Sequence, residues 1–268
     1  MNDNAVLLNI DEASGIATIT LNRPQSLNAL NHAMVAGFNE ATAQAAKNDA
    51  VRAVVIEGAG SHFMAGGDIK YFHSILNDPD SRRREILEEM IGKVHESVIN
   101  IRSMEKPVLA SVHGAVAGFG LSLMNACDLA IAASDSYFTL AYCHIGASPD
   151  GGGTYGLPRL VGLKQAMEIA LLGDRFDAEA ALRLGLINRI VPVDELARST
   201  IELAQRLAKG PTQALGRTKR LLNESLNRNL TEQLRAEQEA FVACAMSKDF
   251  SEGVSAFIEK RKPEFRGI

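Results

Sequence analysis

Apolar residues alternate with polar or small ones in three short runs rich in β-branched side chains, Ala17–Leu21, Ala53–Glu57 and Val108–Val112, and this pattern predicts strands. Between the first two runs lies Ala33–Ala46. Between the second and third, Arg83–Met104 carries Ile86, Met90, Val94, Val98 and Ile101 at steps of three and four, which is one stripe of a helix. Strands separated by helices predict an α/β organisation. The cycle then restarts, with a short helix over Leu121–Ala126 and strands over Leu129–Ala133 and Tyr137–Leu140. From about Lys164 the character changes. Ala166–Leu172 and Ala178–Leu184 read as helices, the latter with Asp177 as N-cap and Gly185 just past its end, and nearly everything after Asp194 except Pro211 reads helical. We expect one core over residues 1–195 with a helical extension over 196–268.

Composition narrows the class. With 46% hydrophobic residues over 268 positions, the chain can bury a sizeable core. A net charge of −4 offers no broad basic surface, so no nucleic-acid partner is expected. Cys127, Cys143 and Cys244 are odd in number and lack CxxC spacing, which argues against a disulfide framework or zinc knuckle and fits a reducing cytoplasm. The opening stretch MNDNAVLLNIDEASG is acidic rather than basic-then-apolar, and no run of eighteen apolar residues occurs, so neither a secretory leader nor a membrane span is expected. The histidines form no HExxH, and no GxSxG elbow or Walker loop is present, which disfavours metal, serine-hydrolase and NTPase chemistry. The basic run Lys260–Lys262 reads as a solvated helix end.

Three glycine-containing segments remain as candidate chemistry. Phe63–Lys70 follows a strand, and its paired glycines allow backbone N–H groups to approach a ligand, although spacing alone favours a turn capped by Asp68. His113–Ser122 opens a small-residue helix whose N-terminal N–H groups are suited to a carbonyl oxygen or anion. Its spacing is not that of a dinucleotide loop, and close helix–sheet packing explains it equally well. In Ser148–Thr154, Asp150 precedes a glycine run, the usual setting of an N-cap.

Taken in order, Leu21-Asn22-Arg23-Pro24 with Leu27–Leu30, Ala65–Lys70, Gly118-Phe119-Gly120, Ala126–Ala130 and Glu259–Phe265 resemble the crotonase superfamily, the enoyl-CoA hydratase/isomerase family, over essentially the whole chain. The resemblance implies a spiral of repeated ββα units with a helical C-terminal part that builds homotrimers, often paired into hexamers. It implies acyl-CoA thioesters as substrates, with no cofactor or metal beyond the coenzyme A of the substrate itself. It also implies an oxyanion hole from the backbone N–H groups of Gly67 and Phe119, and substrate-binding positions at Asn28, Ala29, Ala65, Gly66, Asp68, Ile69, Leu121 and Tyr142. Phe72 and His144 are further pocket candidates.

The carboxylate pattern departs from that of the family's hydratases, whose two glutamate positions hold Ser122 and Tyr142 here. Neither is a good base near neutral pH, so hydration is disfavoured. Asp150 falls where several isomerases of the family carry a single acid. One carboxylate that reaches both C2 and C4 can take a proton from the first and return it to the second. Such a base needs mostly apolar surroundings, since a solvated aspartate is a weak one. The expectation is an enoyl-CoA isomerase with Asp150 as shuttle base. The alternatives are hydration or another crotonase reaction through Asp150, including nucleophilic dehalogenation, and a non-catalytic acyl-CoA binder.

Overall fold

The computed structural model describes residues 4–268, so the first three residues of the acidic N-terminal stretch lie outside the described residues. In chain order the elements are β1 (Val6–Asp11), β2 (Ile16–Leu21), α1 (His32–Lys47), β3 (Ala53–Gly58), α2 (Ile69–Ser74), α3 (Asp80–Ser103), β4 (Val108–Val112), β5 (Ala115–Ala117), α4 (Phe119–Ala126), β6 (Leu129–Ala133) and β7 (Tyr137–Thr139). They continue with α5 (Gly153–Val161), α6 (Leu163–Leu172), β8 (Phe176–Asp177), α7 (Ala178–Arg183), β9 (Arg189–Val191), α8 (Leu196–Ala208), α9 (Thr212–Glu224), α10 (Leu230–Ala245) and α11 (Lys248–Glu259).

Two sheets stand one turn of the chain apart. The larger has the order β1-β2-β3-β4-β6-β9 and is parallel except for the β1/β2 pair. The smaller has the order β5-β7-β8. β4 pairs with β6 in the first sheet while β5, two residues after β4, pairs in parallel with β7 in the second. Strand, strand and helix therefore repeat as the chain winds, which is the expected ββα spiral. β5 was not legible in the sequence: its three small residues, Ala115-Val116-Ala117, lie inside a stretch that reads as a helix-opening loop. β1 was also unmarked.

The central strands are apolar at nearly every position because both faces are covered. In β3, Val54 and Ile56 join the cluster that packs on α1 and α3, whereas Ala53 and Val55 point the other way, towards Leu196, Leu203 and Ala204 of α8. On that second face Ser111 and Thr200 hydrogen-bond at 2.8 Å, satisfying two hydroxyls that would otherwise be buried and unpaired. α8 is thus a layer of the core, and the boundary expected at 195/196 falls before a helix that belongs to the sheet. A helix packed on a sheet and a helix packed on other helices show the same apolar stripe, so periodicity does not separate them.

Local signals hold at the helix ends. Asn31 caps α1 by accepting from Met34 N at 3.0 Å, and α1 buries Met34, Val35, Phe38 and Ala41 on one face. Asp177 caps α7, accepting from Ala180 N at 2.8 Å, and Gly185 takes the left-handed conformation with φ +75. The motif around Asp128 has a structural use. Asp128 accepts from Val108 N at 2.7 Å and pairs at 2.8 Å with Lys219 of α9, whose ammonium also donates to the Ile101 and Lys106 carbonyls. This pins the C-terminal helices to the spiral. No helix among the described residues is long and apolar enough to cross a membrane.

Candidate active site

The turn after β3 lies alongside β5. Met64 N donates to Ala115 O at 3.0 Å, and Ala117 N donates back to Met64 O at 2.9 Å, a parallel bridge that pairs Met64 with Val116. Gly67 and Phe119 each lie three residues further on. The two therefore come side by side: a Cβ added to Gly66 would sit 3.3 Å from Phe119 N and 3.2 Å from Ala117 O. Gly66 has φ +88, so glycine is required both for its backbone angle and for the close approach. The groups flanking Gly67 are committed, since Leu30 N donates to Gly66 O and Asp68 N to Leu30 O. Among the described residues, neither the Gly67 nor the Phe119 N–H donates to a protein acceptor. Phe119 is the first residue of α4, behind Gly118 at φ +53, so the partial positive charge of a helix N-terminus adds to its N–H. Two adjacent free donors of this kind can hold a carbonyl oxygen.

The acid enters from the other side. After β7 the chain passes through Ala141, at φ 47, into a short 3-10 turn over Tyr142–Ile145 and returns through Pro149. Tyr142 Oη donates to Asp150 Oδ1 at 2.5 Å, while Oδ2 accepts no hydrogen bond from the protein. Burial, and then the neighbouring Asp150 charge, push the Tyr142 phenol well above its ordinary value, so it remains a donor. Asp150 itself is half-buried. Gly151 has φ +59 and lies flat on the Phe119 ring, where a Cβ would come within 2.4 Å of Cε2. Its N–H points at His95 Nε2, 3.4 Å away on α3. That contact was invisible in the sequence, because His95 sits on the polar side of its helix with no local cue.

Asp150 does not cap the following helix, as its spacing alone suggested. Gly152, at φ 78, takes the N-cap position of α5, and only the Asp150 main-chain oxygen is engaged, accepting from Gly153 N at 3.0 Å. Glycine at both Gly151 and Gly152 lets the chain turn before the helix begins, which leaves the carboxylate free of it.

Other expected site residues divide. Ala65 and Gly66 line the approach to Gly67, and the Phe72 ring covers Gly67 closely. Ala29, almost wholly buried, lends its carbonyl to Arg23 Nη1 at 2.6 Å, and Ile69 stands exposed at the start of α2. Two expectations are corrected. Asn28 is fully buried and its side chain is saturated, with Nδ2 donating to Ala59, His62 and Phe63 carbonyls and Oδ1 accepting from Arg23 N, so it shapes the loop rather than meeting a ligand. Leu121 is packed wholly inside the core, because α4 is covered on every face. Asp68 is a cap in fact, accepting from Lys70 N and Tyr71 N and pairing with Arg23 at 2.9 Å. Burial pushes its carboxyl up, but Arg23 and the helix amides outweigh that and leave it below its ordinary value. His144 is exposed and stands beside Gly173.

A two-layer ββα spiral with paired free amides beside a carboxylate defines a class of acyl-thioester enzymes. The family model for enoyl-CoA hydratase/isomerase matches residues 11–267. The chain belongs to the enoyl-CoA hydratase/isomerase family, and it is an acyl-CoA enzyme of that family. It is 36% identical over 253 residues to 1,2-epoxyphenylacetyl-CoA isomerase of Escherichia coli, covering 94% of this chain and 95% of that protein. It is 32% identical over 257 residues to crotonyl-CoA hydratase of Syntrophomonas wolfei, covering 96% of each. The crystal structure of an enoyl-CoA hydratase from Polaromonas superposes with a TM-score of 0.90 at 32% identity, over 97% of this chain and 99% of that one.

Proposed function

We propose that the protein is an enoyl-CoA isomerase that moves a carbon–carbon double bond from the 3- to the 2-position of an acyl-CoA. The Gly67 and Phe119 N–H groups hold the thioester oxygen. Asp150 removes a proton from C2, the C–H electrons pass into the carbonyl as a dienolate, and the same carboxyl returns the proton to C4. Charge gathers on the thioester oxygen only in the dienolate, so the two amides act mainly in the transition state, where removing one such donor costs about 2.7–4 kcal/mol. No cofactor beyond the coenzyme A of the substrate enters the reaction.

One observation carries this reading: Tyr142 clamps one oxygen of Asp150 and leaves the other without a protein partner, in a loop whose next residue rests on the ring of Phe119. Hydration is the competing outcome, and relatives bear both hydratase and isomerase names. It needs a second group to manage water, and the hydratase positions hold the uncharged Ser122 and Tyr142. A 3-enoyl-CoA should gain the ultraviolet absorbance of the conjugated thioester and incorporate solvent deuterium, and Asp150→Asn should bind the ester without turning it over. Equal activity in the two proteins would overturn the role.

We further propose a cytoplasmic homotrimer, or a hexamer of two trimers. The support is the unpartnered apolar surface of the C-terminal helices, where Phe257 is 85% exposed and Met246 79% exposed.

A further inference from the structure

We propose that His62 is a positioning residue for the pair of amides that holds the thioester oxygen, its imidazole supplying a hydrogen-bond acceptor that the main chain after β3 withholds. The inference rests on the reading of Gly67 and Phe119 given above and adds a residue to that site.

Gly67 and Phe119 lie three residues beyond Met64 and Val116, so the register of that one bridge sets how the two N–H groups stand to each other. The bridge has both of its bonds, from Met64 N to Ala115 O and from Ala117 N to Met64 O. An unbroken parallel ladder would next give Ala115 N the carbonyl of His62. That carbonyl accepts instead from Asn28 Nδ2, at 2.8 Å. The His62 ring takes its place, with Nδ1 accepting from Ala115 N at 3.0 Å. Ala115 is 1% exposed, so without the ring its N–H would be buried and unpaired beside the bridge. Gly114 makes room for this contact: at φ +55, a Cβ there would come within 2.5 Å of Nδ1. The same turn is tied at two further points, where Phe63 N donates to His113 O at 2.8 Å and His113 Nε2 meets Gly60 O at 2.9 Å. The two imidazoles have opposite duties. His113 faces a carbonyl and donates, whereas His62 faces an N–H and presents a lone pair, which puts its own proton on Nε2. An acceptor at the δ position of residue 62 therefore completes the ladder that leads into the amide pair.

Three substitutions isolate that acceptor. Asparagine puts an amide oxygen where Nδ1 stands, glutamine carries its amide one atom further out, and leucine has no acceptor. With a 3-enoyl-CoA, His62→Leu and His62→Gln should lose roughly tenfold to a hundredfold in kcat with little change in KM, because the amides act mainly in the transition state. His62→Asn should keep most of the rate. Hexanoyl-CoA labelled with carbon-13 at its carbonyl gives a readout that needs no turnover. Infrared difference spectra should show its carbonyl stretch lowered on binding to the wild type and to His62→Asn, and lowered less in the other two variants. The Asn and Gln pair carries the comparison even if the Leu variant does not fold. Equal rates or equal carbonyl shifts in that pair would overturn the assignment, as would a wild type that leaves the stretch unmoved, since the amide pair would then hold no oxygen. A carbonyl shift that follows residue 62 while no double bond moves would count against the proposed isomerisation alone.

Discussion

Tyr142 and Asp150 are joined by a 2.5 Å hydrogen bond from phenol to carboxylate across the loop that separates β7 from α5. A bond to an ionised acceptor is worth about 1.5–3 kcal/mol, so Tyr142→Phe should lower kcat by roughly ten- to a hundredfold through loss of the carboxylate's orientation. Because burial and Asp150 hold the phenol above its ordinary value of 10.0, the wild-type rate should show no alkaline limb from this tyrosine up to that pH. A pH–rate profile of both proteins checks this.

Gly151 carries the acid against Phe119. Gly151→Ala places a Cβ 2.4 Å from the ring at a backbone angle, φ +59, that L-residues disfavour. The loop must shift, and a displacement of order 1 Å at a reacting group costs about a hundredfold in rate. Activity should fall far more than melting temperature, which side-by-side kinetics and calorimetry will show.

The buried Lys219–Asp128 pair anchors α9, with side chains 7% and 19% exposed. Removing one member strands the other charge, so Lys219→Met should destabilise by about 3–5 kcal/mol in denaturant melts. Adding Asp128→Asn should restore part of that loss. A double variant no more stable than the single one would show that the ammonium's bonds to Ile101 and Lys106 matter more than its charge.

Glu252 is held down to about 2 by hydrogen bonds from Arg261 and from Glu264 N, against an ordinary 4.5. A depressed carboxyl stabilises the fold fully above its unfolded value and loses that contribution as pH falls through its folded value. The melting-temperature gap between the wild type and Glu252→Gln should therefore be constant above about pH 4.5 and close as pH falls towards about 2.

Sedimentation equilibrium should give a mass of three or six subunits. Phe257→Glu, which puts a charge on the exposed apolar face of α11, should shift the protein towards monomer. A wild-type monomer would refute the assembly.

The sequence by itself determined the alternation of strands and helices, the cap at Asp177, the turn capped by Asp68 and the family, because those depend on periodicity and on residues only a few positions apart. The tertiary structure decided the rest. It assigned α8 to the core, gave β5 a partner in a second sheet, and freed Asp150 from the helix end to which its spacing had assigned it. It also set Tyr142 against Asp150, and His95 and Phe119 around Gly151. Short range explains the first group, since a hydrophobic pattern records which face of an element is buried. It does not record what that face meets, and His95 and Gly151 touch only because the spiral returns the chain past α3 after a full turn.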